Sequence, residues 1–265
     1  MTYMPRLEAM GRDSAQTAGW SDLAAELDRW GQAGRVAALW WRDDDAVTAT
    51  PRLANLLRIA RGAPLALAVI PAPASAALAE AVRGAPSVAV LQHGWRHANR
   101  AERGKKSEYP KERPAAAVAA EIAAGRARLV DLFGPRAVPV FVPPWNRIAP
   151  ELLPVLADNG IAILSTIAPG RSTRLPAGLV SIDIHLDVTD WKGDRGFIGT
   201  AAAIGTLVGW LRAYRLGIAG LALPIGILTH HLIMDAATAA FMETFVALVG
   251  SHAAVRWTDI TELLR

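Results

Sequence analysis

The chain has 265 residues, 52% of them apolar and 20% charged: long enough to bury a sizeable core and too apolar for a disordered chain. Its net charge of +4 comes from scattered arginines without a clustered basic stripe, so nucleic acid is not expected as a partner. Cysteine is absent, which excludes disulfides and thiolate metal sites, and no apolar run approaches the ~18 residues of a membrane span.

Residues 1–19 read as an irregular N-terminal arm with no charged-then-apolar signal pattern, so the cytoplasm is the expected location. Ser21 caps a helix with Leu23, Ala24, Leu27 and Trp30 on one face, and Gly31 and Gly34 stop it. The apolar run from Val36 to Trp41 reads as a buried strand that delivers Asp43, Asp44 and Asp45 to its carboxyl end. Pro51 opens a helix to Arg61, and the run from Pro64 to Ile70 has the continuous apolar character of a parallel strand buried on both faces. A short helix from Ser75 to Val82 and a strand from Val88 to Gln92 follow. The stretch from Asn99 to Arg113 turns polar, with Lys105, Lys106, Glu108, Lys111 and Glu112, and is expected to be a surface loop or lid.

Pro114 begins an alanine-rich helix that Gly134-Pro135 ends after Phe133. Then come a strand from Val138 to Val142, a helix from Pro150 to Asp158, and strands from Ile161 to Ser165 and Leu179 to Leu186. A helix over 198–214, a strand from Ile225 to Thr229, a helix from Ala236 to Val249 and a last strand from Val255 to Trp257 complete the chain. Strand and helix alternate with no linker or composition break, which predicts one domain over 1–265. About seven to eight mostly parallel strands fit a distorted (β/α) barrel better than an open sheet.

Five strand ends carry the chemistry, at the edge where α/β barrels and sheets place it. Three adjacent carboxylates raise one another's pKa unless a cation compensates them, so Asp43, Asp44 and Asp45 call for a metal or an arginine. His93 and His97, four apart, share a face if the turn after their strand is helical. Two imidazoles and a carboxylate suit zinc or another divalent first-row metal while leaving positions open. Beyond the fourth strand, Pro143 and Pro144 stiffen a loop whose following N–H groups, near Trp145, Asn146 and Arg147, suit an oxyanion. Asp187, Asp190 and Trp191 form either a polar loop or a pocket wall, and Thr229 hands His230 and His231 to the same edge.

In this order, these stretches resemble the five motifs of the polysaccharide deacetylase (NodB-homology) superfamily, which includes carbohydrate esterase family 4, over residues 42 to 231. The resemblance implies Asp44 as general base and Asp45 as metal ligand, with Asp43 and Asp44 as the alternative register. It implies His93 and His97 as the other ligands, with Gly94 where the family has a hydroxyl residue, and His230, after Leu228, as general acid. Asp187, Asp190 and Trp191 match the Asp-x-x-Asp-Trp pattern, and either aspartate is expected to hold His230 charged. Trp95, Trp145 and Trp191 are candidates to stack on a sugar.

One motif departs: Val142 stands where the family has an arginine beside the base. Arg42 or Arg147 is expected to substitute, with Asp190 as ion-pair partner. The implied function is a metal-dependent hydrolase that removes an N-acetyl group from a sugar or polysaccharide intermediate. Its metal is expected to be zinc, ahead of cobalt, nickel, manganese or iron. Two rival readings remain: hydrolysis of another non-peptide C–N bond, of the cyclic imide or ureide type, and a non-catalytic carbohydrate-binding relative.

Overall fold

The computed structural model describes residues 17–168, 175–218 and 224–264; residues 1–16 of the expected N-terminal arm lie outside them. The strand β1 (Ala37–Ala46) is central. On one side of it lie β2 (Leu65–Val69), β3 (Val88–His93), β4 (Ala137–Val142), β5 (Ile163–Leu164) and β6 (Val180–Ser181). On the other lie β8 (Ile225–Thr229) and then β7 (Ile184–Asp187), while β9 (Val255–Trp257) pairs with the first half of β1. Every one of these pairings is parallel. Beyond β5, Ile184 donates to the Thr166 carbonyl at 2.8 Å and Ala168 to the Ile184 carbonyl at 2.7 Å. These bonds bring the two ends of the sheet together, and the expected distorted barrel results.

Seven helices cover the outside: α1 (Trp20–Gln32), α2 (Pro51–Ile59), α3 (Ala76–Arg83), α4 (Ala115–Phe133), α5 (Leu153–Asp158), α6 (Thr200–Arg215) and α7 (Ala236–Ser251) among the described residues. Side chains alternate across a strand, so β1 divides its residues between two cores. Leu39 and Trp41 pack outward with Leu27, Leu207 and Phe245 of the helices. Trp40 packs inward with Ala66, Ala68, Leu91, Val142 and Leu228. That parity sends Arg42 and Asp44 into the barrel and Asp43 toward the helices.

Three expected elements differ. The first strand does not stop at Trp41 but runs through the aspartates, because Asp43 is in register with Leu67 of β2 and Thr229 of β8. The strand expected over 179–186 breaks before Asp183, whose carboxylate accepts from Thr166 and Ser181. The stretch from 99 to 113 is no free lid: Ser107, Glu108 and Tyr109 are buried, and the Tyr109 ring meets Phe141 edge-on.

Candidate active site at the carboxyl edge of the barrel

The three aspartates face three different environments. Asp43, on the helix side, is fully buried; it accepts from the Thr229 hydroxyl at 2.6 Å and faces His231 Nδ1 at 2.5 Å. Burial raises the Asp43 carboxyl against the pull of His231 and Thr229, while burial lowers His231 but the charge and hydrogen bond of Asp43 outweigh it. This pair belongs to the packing between sheet and helices, so the structure brings neither residue to the reaction edge.

Asp44 points inward with Arg42. The guanidinium pairs with it: Nη2 donates to Oδ2 at 2.9 Å, and Nε lies 2.9 Å from Oδ1 as an ion-pair contact. Arg42 is itself fully buried and fixed from behind, donating to Ser165 Oγ at 2.7 Å and to Asn146 Oδ1 at 2.8 Å. Two residues apart on one strand, the base candidate and its cation share a face by parity alone. Arg147, the other expected substitute, donates instead to the Lys106 carbonyl at 3.0 Å. Asp190 accepts from the Lys192 and Gly193 amides of its own turn, so neither expected partner of an Arg147–Asp190 pair is available for it.

By strict alternation Asp45 would follow Asp43 outward. A register shift between Asp43 and Ala46 and a φ of 73° at Asp45 turn its carboxylate back over the strand end instead. There Oδ1 stands 3.1 Å from His93 Nε2 and 3.4 Å from His97 Nε2. His93 ends β3, and His97 lies in the loop beyond it with φ 56°, so the pair converges without the helical turn expected from its spacing. His93 Nδ1 faces the Val142 carbonyl at 3.0 Å; a carbonyl only accepts, so Nδ1 carries the hydrogen.

His93 therefore aims Nε2 at the Asp45 carboxylate, a place that a proton or a metal ion would fill. Burial pushes the Asp45 carboxyl up, but the hydrogen bond and charge of His93 outweigh it and hold Asp45 below the ordinary carboxylate range. Burial pushes His93 down, but the charges of Asp44 and Asp45 outweigh it and raise it. His97 is lowered by burial and by the neighbouring His93. The three donor atoms lie within 4.8 Å of one another, and tetrahedral ligands at ~2.1 Å from a zinc ion stand roughly 3.4 Å apart. The residues fit a divalent metal.

The 143–147 loop closes one side. Trp145 and Asn146 both have positive φ, and the Trp145 ring lies over His97 with 4.3 Å between centroids. Asn146 and Arg147 N–H donate to the Pro143 and Pro144 carbonyls, which leaves the Trp145 N–H without a protein acceptor among the described residues. Of the five non-glycine residues with positive φ among the described residues, Asp45, His97, Trp145 and Asn146 are here, a concentration of backbone strain typical of functional sites.

Opposite, His230 follows β8 with its Nδ1 buried and without a partner among the described residues, its ring edge-on to Trp191 at 4.8 Å. Trp191 Nε1 donates to Asp187 at 2.7 Å. Burial raises the Asp187 carboxyl, while the charge of His230 and the hydrogen bond from Trp191 lower it. Ser165 and Glu108 were not expected at the site. Nothing in the sequence around Ser165 announces it, and Glu108 hides in a charged stretch that reads as solvated.

No protein-family model matches this chain, and no curated protein matches it. Solved structures do. One assigned as a polysaccharide deacetylase from Mycobacterium smegmatis superposes with a TM-score of 0.59 at 18% identity, covering 87% of this chain and 89% of that one. A family 4 acetyl xylan esterase from Clostridium thermocellum, solved with a cobalt ion, gives 0.54 at 14% identity over 86% and 90%. A family 4 carbohydrate esterase from Streptococcus mutans gives 0.56 at 12% identity over 88% and 90%. The chain has the fold of these deacetylases and esterases.

Proposed function

We propose that this protein is a metal-dependent deacetylase that hydrolyses the N-acetyl group of a sugar. The observation that carries the reading is the convergence of Asp45, His93 and His97 beside an arginine-gripped Asp44, at the carboxyl edge of the barrel. Asp45, His93 and His97 would hold one divalent ion, zinc foremost. When bound, such an ion supplies a Lewis acid for the acetyl carbonyl and lowers the pKa of water from ~15.7 toward ~7.

The remaining steps belong to the chain. Asp44 takes a proton from the attacking water, and Arg42 keeps that carboxylate turned toward the site. The Trp145 N–H donates to the oxyanion that develops on the acetyl carbon. His230 delivers a proton to the nitrogen as the C–N bond breaks, releasing acetate and a free amine. An amide nitrogen leaves only when protonated, so cleavage of an N-acetyl group needs the acid opposite the base.

Exposed Trp191 and half-buried Trp145 flank the opening as faces for a sugar ring. The test is the metal content of purified protein by mass spectrometry, for wild type and for His93→Ala with His97→Ala, followed by an acetate-release screen over N- and O-acetyl sugars. Near-stoichiometric metal, lost in the double variant, and release from an N-acetyl sugar are expected. A wild type that neither holds nor takes up a divalent metal overturns the reading.

A further inference from the structure

We infer that Glu108 is the positioning residue for the ligand His97, a step that rests on the metal-binding role proposed for His97. The loop carrying His97 has no regular secondary structure, so its backbone groups need partners from elsewhere. Its carbonyls at Gly94 and Trp95 are met by Gln92 Nε2 and the Ala72 N–H. The Gly94 N–H donates to the Val142 carbonyl, and the four N–H groups from Trp95 to Ala98 all go to one side chain. Glu108 Oε1 accepts from the Arg96 and Ala98 amides at 2.8 and 3.4 Å, and Oε2 from the Trp95 and His97 amides at 3.1 and 3.2 Å.

Glu108 is buried, and no ion pair reaches it among the described residues. Arg113, five residues on, spends its guanidinium on Glu121 and on the Glu108 main-chain carbonyl. The negative charge is therefore met by four consecutive backbone N–H groups, an anion nest whose anion is part of the protein. Glu108 does not follow the loop. Its own backbone is pinned on either side, by Ser107 Oγ donating to the Arg147 carbonyl at 3.2 Å and by Ala149 donating to the Tyr109 carbonyl at 2.9 Å.

The loop is shaped to that fixed carboxylate. Gly94 has φ 58°, and a Cβ there would stand 2.2 Å from Glu108 Oε2. The left-handed backbone of His97 is held by the same anchor, so its Nε2 is set beside Asp45 before any ion arrives. Where the resembling motif has a hydroxyl residue at position 94, this chain has the one residue that leaves room for Glu108.

The experiment titrates metal-free protein with Co²⁺, following its visible absorption, for wild type and Glu108→Gln, with the melting of each metal-free protein recorded alongside. The Gln variant keeps the size but turns an NH₂ toward amide donors. A Co²⁺ affinity about 10–100-fold weaker, with an altered spectrum in a variant that still melts cooperatively, is expected. Wild-type affinity and spectrum in the variant overturn the inference. Amide hydrogen exchange of metal-free wild type reads the same point if the variant does not fold. Protection at Trp95 to Ala98 without metal supports Glu108 as the organiser, and free exchange there overturns it. A wild type that binds no Co²⁺ refutes the proposed function instead, and the exchange result still decides whether Glu108 orders the loop.

Discussion

Arg42→Ala removes both contacts to Asp44 and leaves a carboxylate that is 2% exposed without its cation. Breaking such a buried pair costs about 3–5 kcal/mol, read by chemical denaturation, and acetate release should be lost with it. Arg42→Lys restores the charge but not the simultaneous contacts to Asp44, Ser165 and Asn146, and should recover stability better than turnover; Arg147→Ala should change both far less. A second residue sets a pH dependence. His185 accepts from the Gly226 amide through Nδ1 at 3.0 Å and faces the Tyr214 hydroxyl at 2.9 Å, and burial lowers it to about 4. The unfolded chain, with histidine near 6.5, binds the extra proton first. Stability is thus complete above about pH 6.5 and falls as pH drops toward 4, by on the order of 3 kcal/mol. Melts at pH 5 and 7.5 should show this slope, and His185→Gln should flatten it. The sequence left Arg42 and Arg147 as alternatives beside the base and offered Asp190 as ion-pair partner. Strand parity, which puts Arg42 and Asp44 on one face, is the sequence property that decides between them, and His185 carries no such mark. The turn of Asp45 was not legible, since a left-handed φ at a non-glycine residue leaves no mark in the pattern.

Among the elements, β8 and β9 have the bounds their apolar runs predict, whereas β5 to β7 are shorter because side chains such as Asp183 claim the intervening backbone. The histidine pair shows the limit of spacing rules. A separation of four is a helical interval, but Gly94 with its positive φ diverts the chain into a loop, and the rings meet because β3 and that loop converge. At Gly226 of β8 the chain passes close to neighbouring backbone. A Cβ there would meet the Asp183 carbonyl and Trp40 Nε1, each at 2.5 Å, and the Ile184 Cα at 2.9 Å. Two of the three atoms are backbone and cannot rotate away. Gly226→Ala should therefore cost at least about 1–3 kcal/mol by denaturation, despite the usual entropic gain of replacing glycine.

For the molecule as a whole, ligand linkage gives the most direct reading. A divalent ion held by Asp45, His93 and His97 binds the folded chain alone, so at 100 times its Kd it adds about 2.7 kcal/mol. For a chain of this size that is a rise in Tm of roughly 5–10 °C, reversed by a chelator. His93→Ala with His97→Ala should melt at the same temperature with and without metal; an equal rise in that variant would place the ion elsewhere. The barrel class was readable across the chain because buried parallel strands and amphipathic helices alternate without interruption. Glu108 was not, because its partners are main-chain groups, which are the same in every sequence. The placement of Arg42 has one more consequence. With the base and its cation encoded within three codons of one strand, the 143–147 loop keeps a single duty toward them, the Asn146 amide on Arg42. On the function proposed above, that loop becomes a cassette: with the Asn146 side chain and the backbone of Trp145 and Arg147 retained, its other side chains can be varied to change which sugar is taken while Arg42 and Asp44 stay as they are.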